Sequence, residues 1–310
     1  MGEMKRVVVL VFIAAATMQA AAPPQFTLKV GVDVVNVLFT VVDRVGRLIP
    51  GLTRQDFLVE EDGKKQDIRY FSRENELPVT MGLLIDTSPS VRLVFNEERA
   101  AAVRFLESIL RPGDLALVIG FEKSVTLVQD YTENRRMLRR AIDELEIGPA
   151  INGGTSLYDA VYLVAREKLG REAGRKAIVL ISDGQDTTSK VEEQKAIIAV
   201  HASNAVIYSM AIGTHSRGVF PRLGAGDPRT LKRLSEETGG GFFPISDERD
   251  FDRAFHRIEQ ELRSQYSLGY VSTNSARDGT YRRIRIIPRD PGYKITARRG
   301  YYAAKNPENH

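Results

Sequence analysis

The run Leu83-Leu84-Ile85-Asp86-Thr87-Ser88-Pro89-Ser90 passes from an apolar stretch into an acid followed by alternate hydroxyls. An extended chain points alternate side chains the same way, so Asp86, Ser88 and Ser90 present three oxygens to one spot. Two other stretches end in groups of the same kind. Asn152-Gly153-Gly154-Thr155 precedes a helical pattern, and Ile181-Ser182-Asp183-Gly184 follows a strongly apolar run. The glycines let the backbone come close and leave room for a ligand. An oxygen-only set without histidine or cysteine suits a hard cation, Mg2+ before Ca2+ or Mn2+. Mg2+ takes an octahedron and usually keeps several waters, which leaves a position open. Two carboxylates balance the ion's charge and hydroxyls do not exceed it, so an incoming carboxylate is still attracted.

The elements that must position these groups alternate in type. Apolar strand patterns at 79–85, 115–121, 125–129, 177–181, 206–212 and 241–245 are separated by amphipathic patterns at 91–110, 135–145, 156–169, 190–203, 228–238 and 250–262. In 156–169 the apolar residues Leu157, Ala160, Val161, Val164, Ala165 and Leu169 share one helical face. Strand then helix, repeated, predicts an α/β fold with a doubly wound, mostly parallel sheet covered on both faces. The short link Glu122-Lys123-Ser124 predicts one antiparallel edge strand. In such sheets ligands collect beyond the carboxyl ends of the strands, where the strand order reverses.

The flanks differ. Residues 26–71 and three runs after the last helix, at 266–271, 281–287 and 294–298, read as strands broken by turns. Neither flank alone carries enough strands for a stable sandwich. We therefore expect them to pair into one small all-β, sandwich-like domain with the α/β domain inserted. Two separate strand extensions packed on the α/β domain are the alternative. The expected boundaries are 1–22 for a signal peptide, 23–77 and 263–303 for the two parts of the β domain, 78–262 for the α/β domain, and 304–310 for a tail.

The chain has 310 residues, 43% hydrophobic and 27% charged, a composition of globular proteins rather than disordered ones. Lys5-Arg6, the apolar run 7–16 and Ala20-Ala21-Ala22 follow the order of a secretory signal. The run is too short for an ordinary membrane span; an uncleaved anchor is the competing reading. An exported chain, periplasmic or extracellular, with no membrane span after cleavage is the expectation. The absence of cysteine excludes disulfides, thiolate metal sites and a cysteine nucleophile. A net charge of +4 from 44 basic and 40 acidic residues gives no footprint for nucleic acid. Oligomeric state has no signature.

Each feature has a plainer reading. Ser88 and Ser90 can cap the helix that follows, and Asp186 reads as a loop acid. In Tyr281-Arg282-Arg283-Ile284-Arg285-Ile286 the alternation fits a solvated strand face better than a phosphate patch. The histidines His201, His215, His256 and His310 are scattered without ligand spacing. No Asp-x-Asp follows the first α/β strand, and the chain has no Gly-x-Ser-x-Gly elbow, P-loop or His-Glu-x-x-His. A hydrolase is therefore the weaker expectation.

Asp86-x-Ser88-x-Ser90, Thr155 in Gly-Gly-Thr and Asp183 in Ser-Asp-Gly resemble the metal-ion-dependent adhesion site (MIDAS) of von Willebrand factor type A domains, over about residues 78–262. The resemblance implies a Rossmann-like α/β fold with a divalent ion at the top of its sheet. It implies that Ser88, Ser90 and Thr155 ligate directly, and that Asp86 and Asp183 act directly or through water. It also implies a protein partner presenting Asp or Glu to the ion. Pro89 stands where many relatives carry glycine, which stiffens the loop and removes no ligand atom. In the flanks, Val41-Val42-Asp43-Arg44-Val45-Gly46, Leu52-Thr53-Arg54-Gln55-Asp56-Phe57, Glu61-Asp62-Gly63-Lys64, Gln265-Tyr266-Ser267-Leu268-Gly269-Tyr270 and Arg299-Gly300-Tyr301-Tyr302 resemble exported bacterial von Willebrand A proteins known chiefly from Acidobacteria. The function expected is a non-enzymatic adhesion or scaffold module. A module in which the ion only braces the loops stays open beside it.

Overall fold

The computed structural model describes residues 34–73, 77–212 and 226–305. The expected signal peptide, His215 and His310 lie outside the described residues. Strands β1 (Val34–Val42), β2 (Phe57–Glu61), β3 (Lys64–Gln66) and β4 (Ile68–Arg73) come first. Then follow β5 (Val79–Asp86), α1 (Phe95–Ile109), β6 (Leu115–Phe121), β7 (Val125–Thr132), α2 (Arg135–Asp143), α3 (Leu157–Leu163), β8 (Arg175–Ser182), α4 (Glu193–Ser203), β9 (Ala205–Ile212), α5 (Pro228–Thr238), β10 (Phe242–Ile245) and α6 (Glu248–Leu262). The chain returns to strands with β11 (Tyr266–Val271), β12 (Tyr281–Pro288), β13 (Lys294–Ala297) and β14 (Gly300–Tyr302).

The middle strands form one sheet in the order β10-β9-β8-β5-β6-β7. All neighbours are parallel except the β6/β7 hairpin at one edge. Every residue of β5, β8 and β9 is buried, which is why these strands read as unbroken apolar runs. Alternate side chains serve opposite faces. Leu83 and Ile85 join α1, α2 and α6 in one core, and Leu84 joins α3, α4 and α5 in the other. The chain leaves β5 toward the first core and β8 toward the second, so the switch point falls between the carboxyl ends of these two neighbours.

The flanks build two four-stranded sheets, β13-β1-β11-β4 and β14-β12-β2-β3. Antiparallel pairing crosses from one flank to the other in both, through β1 with β11 and β13, and β2 with β12. Their inner faces share a core that includes Val37, Phe39, Phe57, Val59, Tyr266, Leu268 and Ile284. Phe39 and Phe57 meet edge to face at 5.1 Å. The α/β part is thus inserted in a sandwich made by both ends of the described chain.

Some boundaries differ from the sequence expectation. Helix α1 starts at Phe95 rather than residue 91, because Pro89–Val91 forms a tight turn first. The pattern expected as one helix over 156–169 opens after α3 into a π turn at Val164–Lys168. Its wider winding keeps Val164, Ala165 and Leu169 together in the core. Strand β14 has too few residues for a period to show.

Candidate metal centre

Asp86 closes β5 and is fully buried. Its Oδ1 accepts from the backbone N–H of Ser88 at 2.9 Å, and its Oδ2 from the Ser182 hydroxyl at 2.6 Å. The parallel register sets Ile85 beside Ile181, so the next residues, Asp86 and Ser182, meet at the end of the sheet. Ser88 is extended and its side chain caps no helix. Its Oγ lies 2.9 Å from Oγ of Ser90 instead, so the capping reading does not hold for Ser88. Helix α1 starts at Phe95, and its N-cap residue, Val94, offers no side-chain cap.

Asp183 follows β8. Its Oδ1 accepts from Gln185 N–H at 2.9 Å, while Oδ2 is buried with no partner. Gly184 carries φ +85°, and a Cβ there would lie 2.3 Å from the Asp227 carbonyl oxygen. Only glycine fits that turn, and its N–H donates to the Ser182 hydroxyl at 3.0 Å. The Thr155 carbonyl accepts from Thr187 and Thr188 N–H at 2.8 and 3.1 Å, and Thr155 N–H donates to Oγ1 of Thr187 at 2.9 Å. These bonds fasten the Thr155 loop to the segment after Asp183. A Cβ at Gly153 would lie 3.0 Å from Cγ of Pro89 and 2.5 Å from the Pro149 carbonyl oxygen, so the Thr155 and Ser88 loops pack closely. The fold therefore gathers all three sequence stretches at one end of the central strands. Ser90 is the half-buried member; Asp86, Ser88, Thr155 and Asp183 are buried.

Burial, and then the charge of Asp183, push the Asp86 carboxyl up to about 7. Sequence reasoning missed Glu98 of α1, fully buried with neither carboxylate oxygen paired. Burial first, then Asp86 and Asp183, hold it well above the usual carboxylate range. The signal was present: Phe95, Glu98, Ala101, Ala102 and Phe105 share the buried side of α1. Asp186 accepts from Tyr158 N–H and from the Ser189 hydroxyl, as a loop acid does. Among the described residues no three His, Cys, Asp or Glu side chains are grouped closely enough to hold a metal by themselves. A cation here must draw on the hydroxyls. The set suits that: the charges acting on Asp86 are anionic, and the unpaired Asp183 oxygen lacks a donor.

Fold and site together define a class. Residues 81–185 match the model of the von Willebrand factor type A domain. A UPF0353 protein of Mycolicibacterium vanbaalenii is 26% identical over 250 residues, 74% of this chain and 72% of the relative. An uncharacterized protein of Borreliella burgdorferi is 24% identical over 200 residues, and the match spans 58% of this chain and 57% of that protein. Among solved structures, proximal thread matrix protein 1 from the mussel byssus, described with a zinc-occupied MIDAS motif, superposes with TM-score 0.51 at 16% identity. It covers 66% of this chain and 50% of the mussel chain, and it establishes likeness of fold.

Proposed function

We propose that this chain is an exported, non-enzymatic module that binds a protein partner through a divalent cation at the Asp86, Ser88, Ser90, Thr155 and Asp183 cluster. Two observations carry the reading together: the buried Asp183 Oδ2 has no donor, and the Ser88 and Ser90 hydroxyls face one another at 2.9 Å. Ser88, Ser90 and Thr155 would ligate the ion, with Asp86 and Asp183 as its direct or water-bridged counter-charges. Mg2+ is the resident we favour, before Mn2+ or Ca2+, because the donors are hard oxygens; the zinc-bearing mussel relative supports a divalent ion at this fold position. When bound, the ion supplies an electrophilic position for a carboxylate. Ser90, the half-buried donor, marks the side from which a partner's Asp or Glu would arrive. Ser182 holds the Asp86 carboxylate in place, and the Thr155 backbone bonds hold the second loop. Export rests on the signal-like order of residues 1–22; among the described residues no helix is long and apolar enough to cross a membrane. We also propose that residues 23–77 and 263–303 form one β domain around the domain at 78–262.

The burial of four of the five donors favours a second reading, in which the ion braces the loops and binding falls to the β domain. One experiment addresses both. Calorimetric titration of Mg2+ into chelator-treated protein should show saturable binding that Asp183→Ala abolishes. An acidic peptide or partner that then binds in Mg2+ and not in chelator supports the first reading. Affinity for a partner that ignores chelator, with metal raising only the melting temperature, supports the second. No binding of Mg2+, Mn2+ or Ca2+ would refute the ion site.

A further inference from the structure

Glu98 lies in the first turn of α1, on the face that carries Phe95, Ala101, Ala102 and Phe105 into the core. It has no exposed surface, and neither Oε1 nor Oε2 has a hydrogen-bond partner. A leucine or methionine at this position would complete the apolar face. A carboxyl buried without a partner must either carry an unanswered charge or hold a proton to shed it, and either costs several kcal/mol, so an acid here opposes folding unless something answers it. The charges that reach it are those of Asp86 and Asp183, both at the carboxyl ends of central strands, and neither can answer it. Asp183 Oδ2 is orphaned in the same way. Two oxygens of Glu98 and one of Asp183 are thus buried without donors, and the charges of the two residues act on each other; a hydrated cation would answer all three.

We propose that Glu98 is a third carboxylate of the ion site, accepting hydrogen bonds from ion-bound water on the buried side of Asp86 and Asp183. It acts through water rather than by direct ligation, because no three acidic side chains here are grouped closely enough to share an ion directly. Mg2+ keeps waters in its shell, and carboxylates that bind such waters orient the site and tighten it. A third negative group also lets the protein hold its ion before any partner arrives. The inference rests on the ion site proposed above.

The test compares wild-type protein with Glu98→Gln, which keeps the shape and removes the charge, and Glu98→Met, which removes the polar atoms as well. Mg2+ and Mn2+ are titrated by calorimetry, and melting is followed in chelator and in saturating Mg2+. Glu98→Gln should weaken Mg2+ binding by about 10- to 100-fold, raise the melting temperature in chelator, and shrink the rise that Mg2+ produces. A purely structural Glu98 would move the melting temperature in chelator alone. Wild-type affinity in both variants overturns the role of Glu98 and leaves the ion site standing. Failure of both variants to fold also overturns it, since Glu98 would then serve the helix. Absence of ion binding in the wild type overturns both proposals.

Discussion

The Ser182 hydroxyl donates to Oδ2 of Asp86 and accepts from the N–H of Gly184, so one side chain ties the ends of two neighbouring parallel strands and sets the turn that carries Asp183. Ser182→Ala strips a donor from a fully buried carboxyl and an acceptor from a buried N–H. Orphaning a buried polar group costs about 1–3 kcal/mol. Urea unfolding in chelator should show a loss of that size, and Mg2+ affinity should fall by about tenfold as Asp86 loses its positioning bond. Unchanged stability and affinity would mean that Asp86 is held by its backbone contact to Ser88 alone.

A second prediction concerns the sandwich. Glu61 on β2 accepts from the Tyr270 hydroxyl at 2.8 Å, from the Tyr301 hydroxyl at 3.0 Å and from Ser272, and stands 3.6 Å from the Arg282 guanidinium. Both charged side chains are buried. Removing one partner of a buried pair costs about 3–5 kcal/mol, so Glu61→Ala should lower unfolding free energy by that order. Tyr301→Phe should cost about 0.5–1.5 kcal/mol. Denaturant melts of the two variants check the ranking; equal effects would contradict a central role for the carboxylate.

Stability should also respond to acid through His201. Burial, and then the charge of Arg298, push this imidazole down to about 4, against the bond between Nε2 and the Glu237 carbonyl at 2.8 Å, which favours the protonated ring. The unfolded chain, with an ordinary value near 6.5, therefore binds the proton first as pH falls. The neutral ring's contribution is complete above pH 6.5 and is lost between 6.5 and 4, on the order of 3 kcal/mol in all. His201→Gln keeps a donor for Glu237 and removes the titration. The difference between the two stability curves should change across that window and stay constant above it; curves parallel throughout would refute the assignment.

The alternation of strand and helix was legible because burial on both faces leaves β5, β8 and β9 without polar interruptions. The gathering of Asp86, Thr155 and Asp183 was legible because a doubly wound sheet has one switch point. Glu98 was legible only through its spacing from Phe95, Ala101, Ala102 and Phe105, because adjacent Glu97 and Glu98 otherwise read as a solvated first turn. In β12, Arg283 and Arg285 take the exposed face as the alternation predicts, while Arg282 shares the buried side with Ile284 and Ile286. Parity along the strand held the clue, and the answering Glu61 lies on the opposite flank. The π turn after α3 depends on tertiary packing that no local period encodes.

The way the α/β part is set into the sandwich has a mechanical consequence. The chain enters it after Arg73 and leaves it before Tyr266, and these two residues stand directly opposite each other in the β4/β11 register. Asp86 lies at the other end of β5, roughly 25 Å away for eight extended residues. A pull on the α/β part would therefore load β4 and β11 together, from the same end. On its other side β11 is laced antiparallel to β1 through six residue pairs, from Val34 opposite Val271 to Phe39 opposite Tyr266. With β1 held at its Val34 end, a pull on β11 at Tyr266 would load that seam in shear, and its hydrogen bonds would yield together rather than unzip one by one.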